Sequence, residues 1–282
     1  MSEGFRRWRG RVMAAALLCL APAVLAGADS VYLEELTSTE LRDRIVRGDT
    51  TVLVPIGGTE QNGAHMVLGK HNVRVRLLAG RIAQQLGRAV VAPVLAYVPE
   101  GAIDPPTQHM RWVGTISVPE PVFEAMLEAA ARGFRRHGFR QVVLLGDHGG
   151  YQLAMQRVAD RMNRDLTRQP AFRVVALGAY YRAAQADYAA MLRAKGHTDA
   201  EIGLHAGLAD TSLALAVDAS LVRAAALAAA PRAGSGVTGD PRLASAELGR
   251  LGLDHIVDMS VAAIRQLPPL AGKAQTSVKG TQ

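Results

Sequence analysis

Four short apolar runs, rich in β-branched residues, constrain this 282-residue chain more than any other feature. They are TVLVPIGG (51–58), AVVAPVLAYV (89–98), QVVLLGDHGG (141–150) and FRVVALGAYY (172–181). Runs that are apolar almost throughout suit strands buried on both faces, as in parallel sheets. Between them, residues 72–87, 119–138 and 151–168 show helical spacing with Ala, Leu, Arg and Gln content. Pro121 and Glu124 stand near the start of the second stretch, and Gly138 is placed to end it. The alternation predicts an α/β fold, a three-layer α/β/α sandwich with a mostly parallel central sheet. A helix-rich portion follows over 183–230, with a loop around His205.

Residues 5–11 read FRRWRGR and lead into VMAAALLCLAPAVLA (12–26). A basic opening, a short apolar run and small residues before a cut after Ala26 read as a secretory signal over 1–26. The run contains Pro22 and falls short of the ~20 apolar residues that span a bilayer. The periplasm, or secretion, is therefore expected, with no stable membrane insertion after cleavage. The fold is expected over 31–267, with a flexible polar tail over 268–282. Cys19 is the only cysteine and falls in the signal, so any metal in the remainder rests on His, Asp and Glu.

With 49% apolar and 20% charged residues, the composition excludes a wholly disordered chain. The net charge of +7 includes four arginines and one glutamate of the signal. The rest of the surplus is spread along the chain without a basic, aromatic-interleaved stripe, which argues against nucleic acid as a partner. No G-x-S-x-G elbow, P-loop or dinucleotide fingerprint occurs.

In parallel sheets, ligands gather beyond the carboxyl ends of the strands. Three polar clusters stand there: GGTEQNGAH (57–65) with His71, GDHGG (146–150), and HAGLADTS (205–212). Glu60, His71 and His148 make a two-imidazole, one-carboxylate set suited to Zn²⁺, Mn²⁺ or Fe²⁺ with positions left for water. Such an ion activates water and polarises a carbonyl. A strand-end histidine is also commonly a hydrogen-bonded structural group, and spacing leaves both readings open. Gly149 and Gly150 let the backbone approach a ligand closely. His205 and Asp210 fit an imidazole oriented by a carboxylate for proton transfer, while Asp210 equally fits a helix N-cap before TSLALAV. His109 and Trp112 form a patch that lines a pocket or closes a loop. Tyr180 and Tyr181 end a predicted strand, either stacking on a planar substrate or standing as wall residues. Asp147 and His65 are further candidate ligands.

Five stretches then occur in a distinctive order from about Leu33 to Gln266: VPIGGTEQNGAHMVLG, HMRWVGTISV, VVLLGDHGG, HAGLADTSLAL and GVTGDPRLASAELG. In these the chain resembles the creatininase family, which includes creatinine amidohydrolase, formamide hydrolases and a maturation peptidase. The resemblance implies an α/β/α sandwich, often a homo-oligomer, with a metal pair at the strand ends that hydrolyses a non-peptide C–N bond, often of a cyclic amide. It makes Glu60 a carboxylate ligand, His148 a histidine ligand and His205 the proton-transfer group, with Asp210 where the family usually has glutamate.

The chain also departs from the pattern. Asn62 stands at a family histidine ligand, His71 at the bridging aspartate, Gly150 at a glutamate ligand, and Tyr151 at an asparagine. A neutral imidazole has one lone pair and cannot bridge two cations, so one ion per subunit on Glu60, His71 and His148 is expected rather than two. The resulting expectation is a metal-dependent amidohydrolase acting on a small amide, with His205 steadied by Asp210 and Tyr180 or Tyr181 against the substrate. With Trp112 as the only tryptophan after the signal, creatinine itself is disfavoured as that substrate. The alternative is a non-catalytic relative that binds a small ligand or partner in the same cleft.

Overall fold

The computed structural model describes residues 30–165, 171–229, 231–232 and 234–270. The expected signal and most of the expected tail lie outside the described residues. In chain order the elements are α1 (Ser38–Arg47), β1 (Thr51–Ile56), α2 (Lys70–Leu86), β2 (Ala89–Val91), α3 (Glu120–Arg136), β3 (Gln141–Gly146), α4 (Gln152–Asp165) and β4 (Arg173–Ala176). There follow α5 (Gly178–Arg182), a π-helical turn (Ala183–Asp187), α6 (Tyr188–Ala194), α7 (Asp199–Ile202), α8 (Leu208–Val217), α9 (Ala224–Leu227) and α10 (Ala246–Arg265).

The strands form a parallel sheet in the order β2-β1-β3-β4. Their side chains alternate between two cores, as the strand period of two requires. Val52, Val54, Ile56, Val142 and Leu144 pack with Phe123 and Leu127 of α3 and with Met155 and Val158 of α4. Leu53, Val143 and Leu145 pack on the other face with Leu78 and Ile82 of α2, Leu213 of α8 and Ile256 of α10. Both faces are therefore covered, giving the three-layer α/β/α sandwich with a mostly parallel sheet.

Two predicted strands are shorter than their apolar runs. β2 ends at Val91; beyond it the chain keeps a hydrogen bond from the Ala92 N–H to the Leu53 carbonyl and an isolated bridge between Leu95 and Ile56. β4 ends at Ala176 because α5 begins at Gly178, so Tyr180 and Tyr181 lie on a helix rather than at a strand end.

β1 has β2 on one side and β3 on the other, so the segments leaving β1 and β3 open a crevice at their carboxyl ends. The crevice walls are pinned by Tyr151, which is fully buried. Its hydroxyl accepts the backbone N–H of Asp147 (3.1 Å) and of His148 (3.0 Å), and faces the carbonyls of Ile56 (2.8 Å) and Gly57 (2.6 Å). One phenol thus ties the ends of β1 and β3 together.

Candidate metal centre

Glu60 follows β1 and is buried at the bottom of the crevice. Its two carboxylate oxygens face different surroundings. Oε1 lies 2.8 Å from His71 Nε2 and 3.6 Å from Lys70 Nζ. Oε2 lies 3.2 Å from His109 Nε2 and 3.5 Å from His148 Nε2, yet has no hydrogen-bond partner among the described residues. Burial opposes ionisation of Glu60, but the His71 hydrogen bond and the Lys70 charge override it and hold the carboxyl well below its usual range.

Glu100 faces the same space from the loop that follows β2. It is fully buried, and neither of its carboxylate oxygens has a hydrogen-bond partner. His148 Nδ1 stands 3.5 Å from its Oε2. Burial, and then the neighbouring Glu60 charge, push its carboxyl up to about 9. Room for it comes from Gly58, at φ 150°, where an added Cβ would sit 2.6 Å from Glu100 Oε1.

Glu60, Glu100, His109 and His148 offer ligand atoms that all lie within 4.8 Å of one another. Two carboxylates and two imidazoles form a donor set for Zn²⁺, Mn²⁺ or Fe²⁺. Three buried carboxylate oxygens without partners are costly in a protein interior, and a cation among them removes that cost. Burial also keeps both imidazoles neutral and able to act as ligands, with His148 pushed down to about 3 and His109 lowered. The residues present therefore fit a single divalent ion.

This set corrects the one expected from sequence. His71 lies beside the cluster, but its Nε2 faces Glu60 and its Nδ1 faces Asp147 Oδ2 at 2.6 Å, so both ring nitrogens are engaged. It orients Glu60. Asp147 is likewise engaged by protein partners: it is fully buried among His71, the Arg74 guanidinium (2.9 Å) and the Tyr180 hydroxyl (2.6 Å). Arg74 and the His71 hydrogen bond hold its carboxyl low against the opposing effect of burial. His65 is turned away, with Nε2 3.1 Å from Thr211 Oγ1.

His205 meets the centre from the loop before α8. Its Nε2–H donates to the Gln61 carbonyl (2.9 Å), leaving Nδ1 directed at Glu60 Oε1, 3.7 Å away. Burial, reinforced by Lys70, pushes it down to about 4. Asp210 does not steady it, contrary to expectation. Asp210 accepts from Lys70 Nζ (2.9 Å), Arg74 Nη1 (3.1 Å) and the Ala206 N–H (3.0 Å). Nor is it the N-cap of α8, a place taken by Gly207.

Tyr180 is fully buried against Asp147 and cannot stack on a substrate. Tyr181 is half-buried and stands over Gly149, where an added Cβ would come within 2.6 Å of its hydroxyl. Gly149 and Gly150 are exposed, and the Gly150 N–H donates to His148 Nδ1 (3.2 Å). Trp112 flanks His109, with ring centroids 6.3 Å apart, and His109 in turn lies 4.5 Å from the His205 ring. Tyr181, Trp112, Gly149 and Gly150 thus surround the cluster.

Residues 34–264 match the creatininase family profile, described as creatinine amidohydrolase. The chain belongs to the creatininase family. The creatinine amidohydrolase of Pseudomonas putida is 28% identical over 195 residues, covering 68% of this chain and 74% of that protein. The 3-dehydro-scyllo-inosose hydrolase of Thermotoga maritima is 29% identical over 120 residues, covering 42% of this chain and 36% of that protein. The mycofactocin precursor peptide peptidase of Mycolicibacterium smegmatis is 34% identical over 104 residues, 35% of this chain and 39% of its own length. The matched stretch thus spans under half the length of two of these creatininase relatives. A crystal structure of creatinine amidohydrolase aligns with a TM-score of 0.71 at 27% identity, covering 86% of this chain and 99% of the other. A manganese form of creatininase aligns with a TM-score of 0.70 at 28% identity, covering 85% and 100%. Another creatininase structure, of a mutant, is of a Zn-Zn type. This is a family of hydrolases, and its creatininase structures include manganese and zinc forms.

Proposed function

We propose that this creatininase-family chain is a metal-dependent hydrolase that cleaves a non-peptide C–N bond of a small amide, using one divalent ion held by Glu60, Glu100, His109 and His148. The observation that carries this reading is the convergence of three unpartnered, buried carboxylate oxygens with two neutral imidazoles. A divalent ion bound there would supply Lewis acidity and a water acidified toward neutral pH.

The chain's own residues do the rest. His71 holds Glu60 through Oε1 and leaves Oε2 for the cluster. His205 is anchored through Nε2 and presents an unprotonated Nδ1 to the centre, where it takes a proton and passes it to the leaving nitrogen. Tyr181 and Trp112 flank the space above the glycines and give a planar amide flat surfaces to lie against. Glu100 and His109 also weaken the case for a non-catalytic relative, since they offer donors to offset those missing at Asn62 and Gly150. The leader-like composition of 1–26 supports action in the periplasm.

The test is a panel of small lactams and linear amides, assayed with purified protein before and after chelation and after return of Zn²⁺ or Mn²⁺. Turnover that chelation abolishes and metal restores is expected. Turnover undiminished in metal-free protein would overturn the reading, and metal uptake without turnover of any amide would favour the ligand-binding alternative.

A further inference from the structure

The first two turns of α2 carry Lys70, His71 and Arg74, with no acidic residue in the first turn. This runs against helix electrostatics, because a helix N-terminus favours negative charge. Lys70 and Arg74 are also almost fully buried, which is rare for such side chains unless they are paired. Helix stability therefore does not explain them; their partners do. The Lys70 ammonium lies between Asp210 Oδ2 (2.9 Å) and Glu60 Oε1 (3.6 Å), and Arg74 joins Asp147 to Asp210.

Glu60 thus meets Lys70 and His71 through one oxygen and turns the other, unpartnered, toward the metal cluster. Four carboxylates, the buried Glu60, Glu100 and Asp147 and the part-buried Asp210, share this region with two fixed cations, Lys70 and Arg74. Even with all four ionised, Lys70 and Arg74 leave no more than the charge of one divalent ion to be supplied. A second ion would leave the buried site with at least two uncompensated positive charges.

We propose that the Lys70 ammonium is a built-in counter-cation that takes the place of a second metal ion on Glu60 and limits the centre to one ion. This rests on the metal reading above. Lys70 is a positioning residue: it neutralises Glu60 and Asp210 from the protein side and leaves Glu60 Oε2 free for the ion.

The test is metal capacity, measured on the demetallated full chain by equilibrium dialysis against saturating Mn²⁺ followed by elemental mass spectrometry. The wild type is expected to hold one ion per chain. Lys70→Gln removes the charge beside Glu60 Oε1 and Asp210 and is expected to raise uptake above one ion, whereas Lys70→Arg keeps the charge and stays at one. A wild type that takes two ions overturns the proposal, and so does a folded Lys70→Gln variant that still takes one. If Lys70→Gln does not fold, Lys70→Met, which keeps the length of the side chain without its charge, takes its place with the same expected and contrary results. No uptake by the wild type overturns the metal reading itself, which separates the two failures.

Discussion

Glu60 and Glu100 reach one buried space from loops that follow neighbouring strands, and neither Glu60 Oε2 nor either Glu100 oxygen finds a hydrogen bond there. Two carboxylates placed together without partners repel, unless a proton or a cation sits between them. Everything inferred about this centre grows from that pair.

Glu100→Gln is therefore expected to separate metal binding from folding. It removes one ligand, so affinity for Zn²⁺ or Mn²⁺ should fall at least about tenfold, the low end for losses even of outer-shell groups. The metal-free variant should be no less stable than the metal-free wild type, because glutamine keeps the shape of the neutral carboxyl and cannot acquire its buried charge. Calorimetric metal titration together with thermal melts of the metal-free proteins checks both.

The pH dependence of metal-free stability follows from the same groups. A carboxyl raised to about 9 in the folded state keeps its proton when the unfolded chain has lost it, so its contribution declines as pH rises from the ordinary carboxylate range to about 9. The slope approaches one proton, about 1.4 kcal/mol per pH unit. His148 and His205, pushed down to about 3 and about 4, act in the opposite sense. They stay neutral when folded but charge when unfolded, so their contribution grows from those values up to about pH 6.5 and is then constant. Metal-free protein should lose stability between about pH 6.5 and 9, and Glu100→Gln should flatten that decline. Denaturant melts across this range provide the readout.

The frame of this centre was legible in the sequence, but its wiring was not. The β-branched runs at 51–56 and 141–146 form β1 and β3, and the polar residues after them, Glu60 and His148, reach the crevice as expected from strand polarity. Glu100 stands two residues beyond the apolar run 89–98, though β2 itself ends at Val91, and an acid at that place was the signal for it. What local sequence does not carry is partner choice. His71 sits where a ligand was expected, but Asp147, 76 residues away in the chain, claims its second nitrogen. Asp210 was expected to serve His205 five residues away, but Lys70 and Arg74 reach it from α2. Tyr180 turns inward because α5 begins one residue after Leu177, and a helix aims side chains differently from a strand.

Tyr151→Phe should loosen the centre without touching it. Removing the hydroxyl leaves the His148 N–H and the Gly57 carbonyl without that partner, while the Asp147 N–H keeps the Ile56 carbonyl. Each buried group left unsatisfied costs about 1–3 kcal/mol. A lower denaturation midpoint with weaker metal binding is expected, and unchanged values of both would show that the clamp is idle.

His205→Gln is expected to lower turnover by about 10²–10⁴-fold, the range of general acid–base contributions, with the ion count unchanged. Asp210→Asn should behave differently. It breaks the buried contacts to Lys70 and Arg74 and should cost about 3–5 kcal/mol of stability. Parallel unfolding curves and initial rates distinguish proton transfer by one residue from charge pairing by the other.

The most direct measurement is an anomalous difference map from crystals of the chain soaked in Mn²⁺ or Zn²⁺. One peak enclosed by Glu60, Glu100, His109 and His148, with Lys70 still paired to Asp210, is the predicted result. A peak held instead by His71, a second peak beside Glu60 Oε1, or no peak at the cluster would contradict it.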